Sequence, residues 1–93
     1  MANCAKLHEK ALNAPTNVRF TELRQLAECW GYRRRSTSGG SHFKYKHDRL
    51  RLPAQYAMQV FTDNKGKARP YQVRQLLAAI GFIQANHPDF NPE

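Results

Sequence analysis

The hydrophobic residues of this chain change period twice, and that limits the fold more than any single residue does. Leu23, Leu26, Ala27 and Trp30 recur at the i, i+3, i+4, i+7 spacing of one buried helical stripe. Val73, Leu76, Leu77 and Ile80 share one face of a second helix nearer the C-terminus. Between the stripes the pattern becomes strand-like. Tyr32 to Thr37 reads as a strand, Ser38, Gly39 and Gly40 as a turn, and Ser41 to Lys46 as the hairpin partner. A third strand is predicted at Met58 to Thr62, with Leu50 to Leu52 competing until Pro53 stops it. Helices of this kind bury their stripes by covering one face of the sheet. The expected fold is therefore α+β, two helices packed on one face of a three-stranded antiparallel sheet. The other face is left for a ligand.

Boundary residues refine the outline. Asn3 is a plausible N-cap for an extra N-terminal helix over 3–13, with Ala5, Leu7, Ala11 and Leu12 as its apolar side. After the break at Asn13 to Asn17, Thr21 is predicted to cap the next helix, with Phe20 as its staple. Gly31 stands where a C-terminal cap wants a positive φ. His47 to Arg49 is predicted to turn, Thr62 to Lys67 to form a polar loop, and Pro70 to open the last helix, which Gly81 ends. At 93 residues the chain reads as one domain over 1–93. It has a helix over 3–13, a core over 20–82 and a flexible tail over 83–93.

Charge points to the partner class. Fifteen Lys and Arg stand against 7 Asp and Glu, a net +8. Such a surplus creates a field that collects polyanions, nucleic acid above all. No run approaches the roughly 20 apolar residues of a membrane span, so no membrane role is expected. The first 12 residues, interrupted by Lys6, His8, Glu9 and Lys10, do not read as a signal peptide. Cys4 and Cys29 have no metal-ligand spacing and are read as two lone thiols, Cys29 as a small core residue. That reading places the chain in a reducing, cytoplasmic setting, with no metal and no cofactor.

The residues with chemistry lie on the second strand. Alternation puts His42, Lys44 and Lys46 on one side and Phe43 and Tyr45 on the other, near Arg33, Arg34 and Arg35 of the preceding strand. Cations on such a face gather a phosphate backbone and stabilise an anionic transition state at phosphorus. Gly39 and Gly40 let a backbone approach a phosphate or sugar, although a hairpin turn uses them equally well. Lys65, Lys67 and Arg69 form either a solvated loop or a second phosphate clamp. Tyr71 is either a stacking group or a helix-packing group, with packing favoured. His8, His47 and His87 are expected to have no partners.

Gly40-Ser41-His42 after a basic strand, Phe20-Thr-Glu-Leu23 on the helix, and the segment from Asn64 to Arg74 (NKGKARPYQVR) together resemble the HicA family of toxins. The resemblance runs from the N-terminal helix to Ile80. It implies a double-stranded-RNA-binding-like α-β-β-β-α fold, metal-independent cleavage of mRNA, and neutralisation by a cognate HicB antitoxin. The family's catalytic histidine falls on His42. Arg33, Arg34, Arg35, Gly39, Gly40, Ser41, Lys44, Lys46, Lys65, Lys67 and Arg69 are the candidate RNA-binding residues. The connection from His47 to Ala57 is longer than in compact members, and the chain continues from Phe82 to Glu93.

Cleaving RNA without a metal needs a base for the 2′-hydroxyl, and imidazole titrates near neutrality. The acid for the leaving oxygen is open among Tyr45, Lys46, water and His42 itself. Two other readings stand beside the nuclease: a module that holds RNA by shape across the minor groove, and a protein whose basic face meets an acidic partner.

Overall fold

A computed structural model describes residues 3–35 and 42–92. It has the elements α1 (Cys4–Asn13), α2 (Phe20–Cys29), β1 (Tyr32–Arg34), β2 (His42–His47), α3 (Ala54–Ala57), β3 (Met58–Thr62) and α4 (Pro70–Asn86). The strands form one antiparallel sheet in the order β1-β2-β3. Tyr32 faces His47 across β1–β2, and His42 faces Thr62 across β2–β3. The α+β class and the sheet are those expected.

One face of the sheet carries Tyr32, Tyr45, His47, Gln59 and Phe61, all buried. Leu23, Leu26 and Ala27 of α2 and Val73, Leu76, Ile80 and Ile83 of α4 complete the core on that side. Each of those helical side chains is at most 1% exposed, so truncating a Leu or Ile there should cost about 2–5 kcal/mol. The opposite face carries no helix among the described residues, and its side chains on β2 and β3 are mostly exposed.

Several boundaries differ from the sequence reading. Asn3 does cap α1, its side chain accepting the Lys6 amide at 3.1 Å. The second helix begins one residue before Thr21, with Arg19 as its N-cap, because Glu22 at the third helical position accepts the Arg19 amide at 2.9 Å. Gly31 takes the expected positive φ, +95°. Gly81 does not end the last helix. It lies on the exposed side, where the missing side chain removes no contact, and Ile83 extends the buried stripe to a helix end at Asn86. The long connection holds an unexpected short helix, α3. Its amides at Tyr56 and Ala57 both bond the Pro53 carbonyl at 2.8 Å, and the Tyr56 ring packs 4.8 Å from Phe82.

The cysteines depart from the sequence reading. Cys4 and Cys29 form a disulfide, with Cα atoms 5.8 Å apart, inside the usual range for such a bridge. It joins the start of α1 to the end of α2, and the Lys10–Glu22 ion pair at 2.8 Å ties the same helices at their other ends. A single cysteine pair has no spacing signature, so helix docking alone made it visible. With the thiols paired, the reducing, cytoplasmic inference drawn from them loses its basis. Within the C-terminal segment, the Phe90 ring stacks on Trp30 at 6.0 Å and meets His47 edge-on at 5.4 Å. No helix among the described residues is long and apolar enough to cross a membrane.

Candidate nucleic-acid interface

Strand alternation sorts β2 cleanly. His42, Lys44 and Lys46 are exposed on the open face, Phe43 is half-buried, and Tyr45 and His47 are buried on the core side. His42 is the first residue of β2, and Gly39, Gly40 and Ser41 lie outside the described residues. At about 3.3 Å per residue, Lys44 stands about 7 Å along the strand from His42 and Lys46 about 13 Å.

The three arginines of the β1 segment do not act as one cluster. Arg33 pairs with Lys46 and so shares the open face, but its guanidinium turns back to donate to the Glu28 carbonyl at 3.0 Å and the Tyr32 carbonyl at 2.9 Å. Arg34 pairs with Tyr45 and falls on the other side, where its guanidinium lies 4.2 Å above the Phe43 ring. Arg24 of α2 approaches the same ring at 4.6 Å. Cations over an aromatic face are held there by its quadrupole. Arg35 extends the ladder through its amide to the Lys44 carbonyl, at 2.8 Å, and returns to the open face. Consecutive basic residues on a strand cannot all face one ligand.

The second basic cluster also divides. Lys65 and Lys67 occupy a tight turn in which Asn64 and Lys67 exchange backbone bonds of 3.0 and 3.1 Å, with Lys65 at φ +56° and Gly66 at φ +86°. The Phe20 amide donates to the Gly66 carbonyl and the Ala68 amide to that of Val18, fastening the turn to the start of α2. Arg69 goes elsewhere. Its Nε donates to Thr62 Oγ1 at 2.7 Å, and Thr62 is the residue opposite His42.

Sequence reasoning missed the network around Thr62. Gln72, 3% exposed, accepts the Thr62 amide at Oε1 (2.9 Å) and donates from Nε2 to both Thr62 Oγ1 and the Tyr71 hydroxyl, each at 3.1 Å. Tyr71 does not pack into the helix layer; it is 56% exposed. A signal for Gln72 did exist, since a glutamine interrupts the α4 stripe four residues before Leu76. A buried amide is placed to hold polar neighbours, because leaving it unbonded is costly.

Tyr45 cannot serve at the open face. It is fully buried on the core side, receives Arg24 Nε at 2.8 Å on its hydroxyl, and is held above the usual phenol range chiefly by burial. His47 is not the partnerless turn residue expected either. Its Nε2 lies 2.7 Å from the Trp30 carbonyl, and its Nδ1 meets the amides of Leu50 at 3.0 Å and Arg49 at 3.2 Å. Two donors converging on Nδ1 require it to be the bare nitrogen, so Nε2 carries the proton and donates to Trp30.

The His42 end of the sheet thus sets an exposed imidazole, with Lys44 beside it, opposite the half-buried Thr62, whose hydroxyl accepts from Arg69 and from Gln72, and Gln72 in turn holds the exposed Tyr71 phenol. No family model matches the chain, and neither does any curated protein or any solved structure.

Proposed function

We propose that the chain is a HicA-type toxin: a metal-independent endoribonuclease that cleaves mRNA on the open sheet face, in a double-stranded-RNA-binding-like fold. The observation that carries this reading is the position of His42, exposed among cations and directly across from a threonine that holds Arg69. Shape recognition of RNA needs cations and hydroxyls but no group that titrates near neutrality.

In this mechanism Lys44, Lys46 and Arg35 hold the phosphate backbone without reading sequence. His42 takes the proton from the 2′-hydroxyl as that oxygen attacks phosphorus, and Lys44 and Arg69 offset the negative charge that develops on the phosphorane. The products carry a 2′,3′-cyclic phosphate and a 5′-hydroxyl. A cognate HicB antitoxin with an acidic surface would silence the enzyme by covering the same face, matching the +8 charge of the chain.

The test is incubation of the purified protein with mRNA in EDTA, followed by analysis of the ends formed. Cyclic-phosphate ends support the reading. Retention of RNA without cutting would replace it with a non-catalytic RNA-binding module.

A further inference from the structure

We infer that Tyr71 is the general acid of this site, delivering its hydroxyl proton to the 5′-oxygen as the RNA strand breaks. The inference rests on the nuclease reading above and concerns a step that reading leaves without an agent.

Placement comes from three linked contacts. His42 and Thr62 are direct partners across β2–β3, and side chains of such a pair share a face with Cβ atoms about 4.5–5.5 Å apart. Thr62 Oγ1 accepts from Gln72 Nε2, and the same nitrogen donates to the Tyr71 hydroxyl, so the two oxygens lie at most about 6 Å apart. Gln72 is 3% exposed and has its Oε1 engaged by the Thr62 amide, which fixes the orientation of the amide that holds the phenol. The Tyr71 oxygen therefore acts as acceptor toward the protein and keeps its own proton for a ligand. A base and an acid must stand on opposite sides of phosphorus for in-line displacement, and the linked series His42, Thr62, Gln72, Tyr71 sets the imidazole and the phenol at its two ends.

The other side chains considered for this step besides His42 are poorly suited to it. Tyr45 points into the core, and Lys46 stands about 13 Å along the strand. Arg69 cannot release a proton at working pH.

Atoms balance without a co-reactant. The 2′-hydroxyl proton passes to His42 and the 2′-oxygen bonds to phosphorus. The bond from phosphorus to the 5′-oxygen breaks with its electron pair on oxygen. That oxygen takes the Tyr71 proton, and the phenolate regains one from water while His42 returns its proton to solvent. A phenol is a stronger acid than the alcohol it protonates, so the transfer runs downhill as the bond breaks.

The experiment compares two substrates. The wild-type protein is first used to map one cleaved bond in an mRNA. Short RNAs spanning it are then made with oxygen or sulfur at the 5′ bridging position, since a thiolate leaves without needing a proton. Tyr71→Phe should slow the oxygen substrate by about 100-fold and the sulfur substrate by less than about threefold. Equal slowing of both substrates, or no slowing of the oxygen substrate, overturns the assignment while leaving the nuclease reading intact. A wild-type protein that cuts no bond in the mRNA overturns both. Tyr71 is exposed, so the variant should melt with the wild type and a folding failure will not obscure the result.

Discussion

His42 and His47 sit five residues apart on one strand, and the same side chain has opposite surroundings at the two ends. The odd spacing puts them on opposite faces, because strand side chains alternate. His42 is exposed beside Lys44 and across from Thr62. His47 is 5% exposed, with both ring nitrogens engaged by backbone and with Tyr32 and Phe90 rings edge-on to it. Gly31 completes that packed end. A Cβ there would come within 2.7 Å of the His47 ring and 2.9 Å of Phe90, so the glycine is required for space as well as for its φ. Exchangeable protons are useful where a ligand can reach them, and a histidine with both nitrogens engaged is a structural strut.

Substituting the two histidines gives the largest expected effects, and they should be reciprocal. His42→Ala should reduce RNA cleavage by about 10²–10⁴-fold, while stability changes within about 0.5 kcal/mol and RNA binding stays nearly intact. His47→Ala should destabilise the fold by about 2–4 kcal/mol, since it leaves the Trp30 carbonyl and two amides without their partner and opens a cavity. Cleavage per folded molecule should stay near wild type. Measuring melting temperature and rate on the same preparations checks both. A His47 variant that melts normally yet no longer cuts would break the comparison.

Acidity probes the packed end without mutation. Burial holds His47 below the usual imidazole range, and the nearby Arg49 and Arg33 add to this, although the Trp30 bond and Asp48 oppose it. The native state therefore refuses a proton that the unfolded chain accepts below about pH 6.5. The resulting stability is fully present above that pH and is lost as pH falls below it. His8, lowered by burial in the same direction, adds to the slope. Melting temperature should accordingly drop between pH 7.5 and 5.5, and His47→Gln should flatten most of the drop. A melting temperature that rises on acidification would show that the imidazole is not held neutral.

Much of the architecture was legible in the sequence because it rests on period and punctuation. Leu23 to Trp30, the alternation of His42 to Lys46, and Pro70 at a helix start are local signals, and local physics decides them. What stayed hidden depends on contacts between distant elements. His47 looked bland because its partners, Trp30 and Phe90, come from elsewhere in the chain. Cys4 meets Cys29 once α1 docks on α2. Tyr71 is linked through Gln72 to Thr62, the cross-strand partner of His42, and that link requires the β2–β3 register. The basic residues were over-grouped for the same reason: Arg34 sits above Phe43 on the core side, and Arg33 is turned back toward α2.

That regrouping leads to the smallest effect and to a sharper division within the open face. Lys44 and Lys46 are exposed there, whereas Arg34 is stacked on the other side. Counterion release depends on how many cations meet phosphates, at close to one unit of salt slope per contact. Replacing Lys44 and Lys46 together by Ala should therefore weaken binding to all RNA sequences alike and shallow the log–log salt dependence by about 1.4–1.8. Arg34→Ala should leave that slope unchanged, because a guanidinium over Phe43 contributes packing rather than phosphate contact. Filter binding over a salt series measures both slopes. If Arg34→Ala lowers the slope as much as one lysine does, RNA reaches the arginine side of the sheet and the division by faces fails.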